Sequence, residues 1–192
     1  MYFCKKDKQY EAVAIGASAG GVDALRMILS GLPHDFYPAT IIVQHLPPAS
    51  DEFLPQFLNK ECLLPVMEAD EKIKIRHNSV YIAPSNYHLL VEEDRTFSLS
   101  VTEKINYARP SIDVLFETAA FAYGSALIGV ILTGANKDGV QGLKKIKESG
   151  GLTIVQDPKT AQISTMPQKA ISAFNVDYIL PLQKIASFLS DF

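Results

Sequence analysis

Apolar residues run almost unbroken through residues 39–43 and 126–132, and a further run, 10–15, interrupted by Glu11, is closed by Gly16. A strand that is apolar on both sides of its pleat is covered on both faces, the condition of a parallel sheet between helices. In between, the apolar spacing changes to three and four. Val22, Leu25, Ile28, Leu29 and Leu32 line one helical face, and Ile112, Leu115, Phe116 and Ala119 line another that starts with Pro110 in its first turn. Further helices are expected at about 50–60, 139–149, 167–174 and 182–189, and further strands at 63–67, 79–83, 152–155 and 178–180. The middle of the chain has a different texture. Residues 88–91 and 96–101 flank the polar Glu92-Glu93-Asp94-Arg95 and read as an antiparallel hairpin attached to the main sheet. The alternation predicts a three-layer α/β fold, a mainly parallel sheet flanked by helices with that hairpin in the middle of the chain.

Composition narrows the class. With 192 residues, 47% hydrophobic and 20% charged, the chain suits one folded domain, here 10–192, behind a polar tail of residues 1–9. Eighteen basic against 21 acidic residues give a formal charge of −3. Apart from Lys5, Lys6 and Lys8 in the tail, the basic residues are scattered, so no nucleic-acid partner is expected. Cys4 and Cys62 show neither CxxC nor metal spacing and read as reduced thiols. The start is too charged for a signal peptide and no apolar run could span a bilayer, so a cytoplasmic protein without membrane insertion is expected.

Chemistry collects just after the apolar runs. Ser18 sits in Gly16-Ala17-Ser18-Ala19-Gly20-Gly21, His45 in Val43-Gln44-His45, and Asp138 in Asn136-Lys137-Asp138-Gly139. If the strands are parallel, a hydroxyl, an imidazole and a carboxylate emerge along one edge as nucleophile, base and orienting acid. Backbone N–H groups of Ala19 and Gly20 at the helix start could hold an oxyanion. Each residue also has an ordinary alternative. Ser18 and Asp138 could be helix N-caps, and His45 could bond a surface carbonyl. His34 and His77 compete less well, lying in a helix-exit loop and a polar turn; His88, at the start of a hairpin strand, could line the same cleft. Gly-Ala-Ser-Ala-Gly formally matches a nucleophile elbow, but the order Ser, His, Asp differs from that of α/β-hydrolases.

The first two of these stretches, together with Leu46-Pro47-Pro48, Tyr81-Ile82-Ala83-Pro84, residues 109–116 from Arg109-Pro110-Ser111 to Phe116, and Gly129-Val130-Ile131-Leu132-Thr133-Gly134, resemble the catalytic domain of the CheB-type protein-glutamate methylesterases of bacterial chemotaxis. The resemblance runs from about residue 12 to 189. It implies Ser18 as nucleophile, His45 as base and Asp138 as third member. It also implies hydrolysis of γ-glutamyl methyl esters on cytoplasmic chemoreceptor helices, with methanol released, and in some members glutamine deamidation. Metal and organic cofactors are not expected. Backbone N–H groups near Ala19 and Ala135 are the oxyanion candidates, and Arg109 either steers an acidic helix or caps a carbonyl.

Two departures stand out. Only a short polar tail precedes the domain where the family carries a phospho-accepting receiver, so a separate regulatory or receiver protein is a candidate partner. The family's Thr-Gly-Met-Gly-x-Asp-Gly loop reads Thr133-Gly134-Ala135-Asn136-Lys137-Asp138-Gly139. Two rival readings compete. A nucleotide-binding domain is disfavoured because the first glycine loop is not G-x-G-x-x-G and the second strand ends in Gln44-His45 rather than an acid. A catalytically silent receptor-binding module would keep the fold without the chemistry.

Overall fold

A computed structural model of the chain describes residues 9–46 and 53–192. Seven strands form one parallel sheet: β1 (Ala12–Ala17), β2 (Ala39–Gln44), β3 (Val66–Glu68), β4 (Val80–Ile82), β7 (Leu127–Ile131), β8 (Leu152–Gln156) and β9 (Tyr178–Leu180), in the order β3-β4-β2-β1-β7-β8-β9. Six helices are described: α1 (Gly21–Leu29), α2 (Phe53–Glu61), α3 (Ile112–Tyr123), α4 (Val140–Glu148), α5 (Thr165–Ala173) and α6 (Leu182–Leu189). The strand alternation sorts them into layers. Val13 and Ile15 of β1 face a core with α1, α2 and α6, whereas Ala12 and Ala14 face one with α3, α4 and α5.

The expected three-layer architecture is therefore present, with one difference. The hairpin β5 (His88–Val91) and β6 (Phe97–Ser100) is a separate two-stranded sheet and does not hydrogen-bond to the main one. Leu89, Val91 and Phe97 pack into the core that also holds Ile112, Leu115 and Phe116 of α3, so the hairpin covers the outer layer rather than extending the sheet. Pro110 lies before the N-cap Ser111 rather than inside the first turn, and the Arg109–Pro110 bond is cis. The first strand reaches Ala17, past the Gly16 that was expected to close it, because Gly16 and Ala17 continue the ladder with Val43 and Gln44. The tail lysines, Cys4, Pro47, Pro48 and the start of the expected 50–60 helix lie outside the described residues. Burial and the neighbouring Glu61 push the Cys62 thiol up to about 11, which leaves it a poor nucleophile.

From β1 the chain moves outward through β2 to β4, then crosses back so that β7 pairs with the other side of β1. That reversal is a topological switch point, where loops diverge at the carboxyl edge and leave a crevice.

Candidate active site

Ser18 and His45 are brought together by register. Ala17 pairs with Gln44 at the end of the β1–β2 ladder, and His45 N–H donates to the Ala17 carbonyl at 3.0 Å. The next residue on each strand is thus a near neighbour across the ladder. Gln44 reinforces this placement. It is buried, and its Nε2 donates to the carbonyls of both Ser18 (2.9 Å) and His45 (2.8 Å). Gln44→Glu replaces both donors with a buried charge facing two carbonyl oxygens. We expect it to destabilise the fold by at least about 2 kcal/mol in urea denaturation.

Neither Ser18 nor Asp138 is an N-cap. That position belongs to Gly20 in α1 and Gly139 in α4, with no side-chain cap at either. Gly20 has φ 78°, which favours glycine, and the turn leaves the N–H groups of Ala19 and Gly20 without an acceptor among the described residues. The loop after β7 closes against this turn. Thr133 Oγ1 donates to the Ala19 carbonyl at 2.9 Å, and Ser18 N–H donates to the Thr133 carbonyl at 3.0 Å. A Cβ on Gly134 would lie 2.9 Å from the Ser18 Cβ, so only glycine lets the two loops meet.

Asp138 is wholly buried, at 0% exposure. Its Oδ2 accepts from His45 Nε2 at 3.0 Å and from Ile112 N–H at 2.6 Å. Its Oδ1 accepts from Ser111 Oγ (2.8 Å), Asn106 Nδ2 (3.1 Å) and Asp113 N–H (3.3 Å). The carboxylate therefore occupies the start of α3, where free N–H groups and the helix dipole favour an anion. Burial pushes its carboxyl up, but the bonds from His45, Ile112 and Asn106 outweigh that and hold it below the usual carboxylate range.

The same network fixes the imidazole tautomer. Asn136 Oδ1 accepts the Asp138 N–H at 3.1 Å, which turns its Nδ2 toward His45 Nδ1 at 3.3 Å. An amide nitrogen can only donate, so Nδ1 must accept and the ring proton must sit on Nε2, facing Asp138. Nδ1 is then the basic nitrogen. Ser18 Oγ makes no hydrogen bond to it among the described residues, the Nδ1 bond there being that of Asn136.

Ser18, His45 and Asn136 line an open cleft of about 410 Å³ whose far wall is the segment 104–110. Lys104 and Arg109 contribute positive charge there, and no Asp or Glu among the described residues lines it. Arg109 caps carbonyls, its Nη1 donating to those of Val101 (2.7 Å) and Thr102 (3.0 Å), while its side chain still faces the cleft. Ala135 is exposed on the loop after β7, and its N–H has no acceptor among the described residues.

His88 does not reach the cleft. It is 1% exposed; its Nδ1 accepts the Ser111 N–H at 3.2 Å and its Nε2 donates to the Glu103 carbonyl at 3.0 Å, which ties the hairpin to the start of α3. His34 and His77 lie in the loops entering β2 and β4, at the opposite edge. The residues that sequence reasoning passed over are Gln44, Asn106, Ser111 and Asn136. Gln44 and Ser111 stood inside the quoted motifs, and Asn136 inside the departing loop. Asn106 gave no signal beyond a polar residue just ahead of a helix.

A parallel α/β domain with a hydroxyl, an imidazole and a buried carboxylate gathered at its switch point has the parts of a serine hydrolase. The chain belongs to the CheB methylesterase family, whose model matches residues 13–189. The catalytic domain of the Thermotoga maritima CheB methylesterase superimposes with a TM-score of 0.91 at 37% identity, over 95% of this chain and 98% of that one. A Leptospira interrogans protein, to which glutamate methylesterase and glutaminase activities are provisionally ascribed, is 57% identical over 92% of both chains. A protein-glutamate methylesterase/protein-glutamine glutaminase of Trichodesmium erythraeum is 41% identical over 92% of this chain, which spans 51% of that protein. These matches give the nucleotide-binding alternative no support.

Proposed function

We infer that the chain hydrolyses γ-glutamyl methyl esters on the cytoplasmic helices of chemoreceptors and deamidates glutamine side chains by the same acyl transfer. The observation that carries this reading is the 3.0 Å bond from His45 Nε2 to buried Asp138, made by a ring that shares a cleft with Ser18. Once Asn136 gives up its 3.3 Å bond to His45 Nδ1, that nitrogen takes the Ser18 proton as Oγ attacks the ester carbonyl, and Asp138 stabilises the imidazolium that forms. The free N–H groups of Ala19 and Gly20, with that of Ala135 on the adjoining loop after β7, serve as donors to the oxyanion. The imidazolium returns its proton to the departing methoxide, giving methanol. His45 then draws a proton from water as that water attacks the acyl-serine, and glutamate is released. With an amide substrate, ammonia leaves instead. The positive rim at Lys104 and Arg109 suits a helix bearing carboxylates around the reacting one. This substrate places the protein in the cytoplasm, and a separate receiver protein is the natural candidate for its control.

The test is methanol released from a methylated chemoreceptor. Release well above the enzyme-free rate is expected; release at that rate overturns the assignment and favours a catalytically silent receptor-binding module.

A further inference from the structure

Asp113 is a buried carboxyl that the ester chemistry leaves unused, and it lies beside the one that chemistry depends on. Its Oδ1 accepts the Gly142 N–H of α4 at 2.8 Å, and its Oδ2 accepts from Asn106 Nδ2 at 2.8 Å. The same Asn106 nitrogen donates at 3.1 Å to Asp138 Oδ1. A carboxamide nitrogen carries two protons and no charge, so Asn106 gives one proton to each of two neighbouring buried acids. No other neutral side chain of this length does so. A hydroxyl has a single proton, and a carboxylate would add a third negative charge.

The backbone at this point is shaped for the task. Ile105 and Ala108 exchange both N–H···O bonds, closing a two-residue turn with Asn106 at φ 51° and Tyr107 at φ 64°. Asparagine tolerates the left-handed region better than other residues with a Cβ. The turn aims the Asn106 side chain inward and leaves Tyr107, 98% exposed, on the rim of the cleft.

We propose that Asn106 is a positioning residue of this site. It clips the Asp113–Asp138 pair together, fixes Asp138 against His45, and keys the substrate-facing turn to the catalytic carboxylate. The proposal rests on the reading of Ser18, His45 and Asp138 as the reacting groups. Burial, followed by the charges of Asp138 and of Glu117 on the same helix, pushes the Asp113 carboxyl up to about 6, against the bonds from Gly142 and Asn106. The charged groups around the pair are therefore Asp138 and Glu117, His45 beyond Asp138, and Lys104 and Arg109 on the rim segment. Without the Asn106 proton, negative charge concentrates on Asp138. That charge strengthens the hold of Asp138 on the protonated His45 ring.

The experiment compares wild type, Asn106→Gly and Ser18→Ala by fluorophosphonate labelling rate across pH, and by kcat and KM on a soluble glutamyl methyl ester. Glycine is chosen because it suits φ 51° and so removes the donors without straining the turn. Asn106→Gly is expected to label on the order of ten- to a hundredfold more slowly, the loss falling on kcat rather than KM. Its acidic limb should move to higher pH. A labelling rate and acidic limb that coincide with wild type overturn the proposal, as does a slower rate with an unmoved limb, which marks a mere scaffold. If Asn106→Gly does not fold, Asn106→Ser takes its place: it adds no charge and its single proton cannot serve both carboxylates, and the same criteria apply. Wild type that is not labelled, or Ser18→Ala labelled equally well, refutes the underlying reading instead.

Discussion

Ser18→Ala is expected to remove fluorophosphonate labelling altogether and to lower ester hydrolysis by on the order of a millionfold, the loss typical of a site that depends on a single activated alcohol. The fold should be indifferent to the change. The Ser18 hydroxyl makes no hydrogen bond among the described residues, and the loop is held by its backbone through Thr133 and Gln44. Thermal unfolding should therefore coincide with wild type. An alanine variant that still releases methanol at an appreciable rate would show that another group is the nucleophile.

Asp138→Asn is the second large effect, and it should strike both activity and stability. The carboxylate accepts from five donors, two at Oδ2 and three at Oδ1. An amide replaces one of those oxygens with a donor. Whichever way it is turned, its NH₂ faces other N–H or O–H groups. Turned toward the ring, it presents a proton to the Nε2 proton, and the imidazole relieves the clash by moving its own proton to Nδ1. The basic nitrogen is then lost, and kcat should fall by about four orders of magnitude. Stability should fall as well, by about 1–3 kcal/mol for each donor left without a partner. The acid dependence follows with its sign. A carboxyl held below its unfolded value of about 3.9 contributes stability that is complete above that value and is lost as pH falls through the folded one. Urea midpoints measured between pH 7 and 3 should therefore converge for wild type and variant at the acid end. Parallel curves, or a variant with wild-type kcat, would contradict the assignment.

The architecture was legible because burial on both faces leaves a strong mark: residues 39–43 and 126–132 could hardly be anything but central parallel strands. Ser18, His45 and Asp138 were legible because each follows such a strand, and parallel strands carry their loops to one edge. Two other features left weaker traces. The hairpin at 88–100 read correctly as a hairpin, but alternation within a strand reports which side is covered, not what covers it, so its seat on α3 was invisible. Likewise, the support of the carboxylate depends on Asn106 meeting residues of α3 and of the loop after β7, a tertiary meeting that no local pattern encodes. His88 misled for the same reason. An imidazole near a cleft in sequence is not distinguishable from one that fastens a hairpin, until it is seen to be buried away from the cleft with both nitrogens bonded to backbone groups.

The reacting groups and their supports are spread from position 18 to position 138, on both sides of the strand where the chain reverses direction. On the proposed reading, Ser18 is therefore made early and armed late. A nascent or half-assembled chain carries it as an ordinary alcohol, harmless to the esters around it. Only when the final third of the polypeptide has docked does it become a hazard to them.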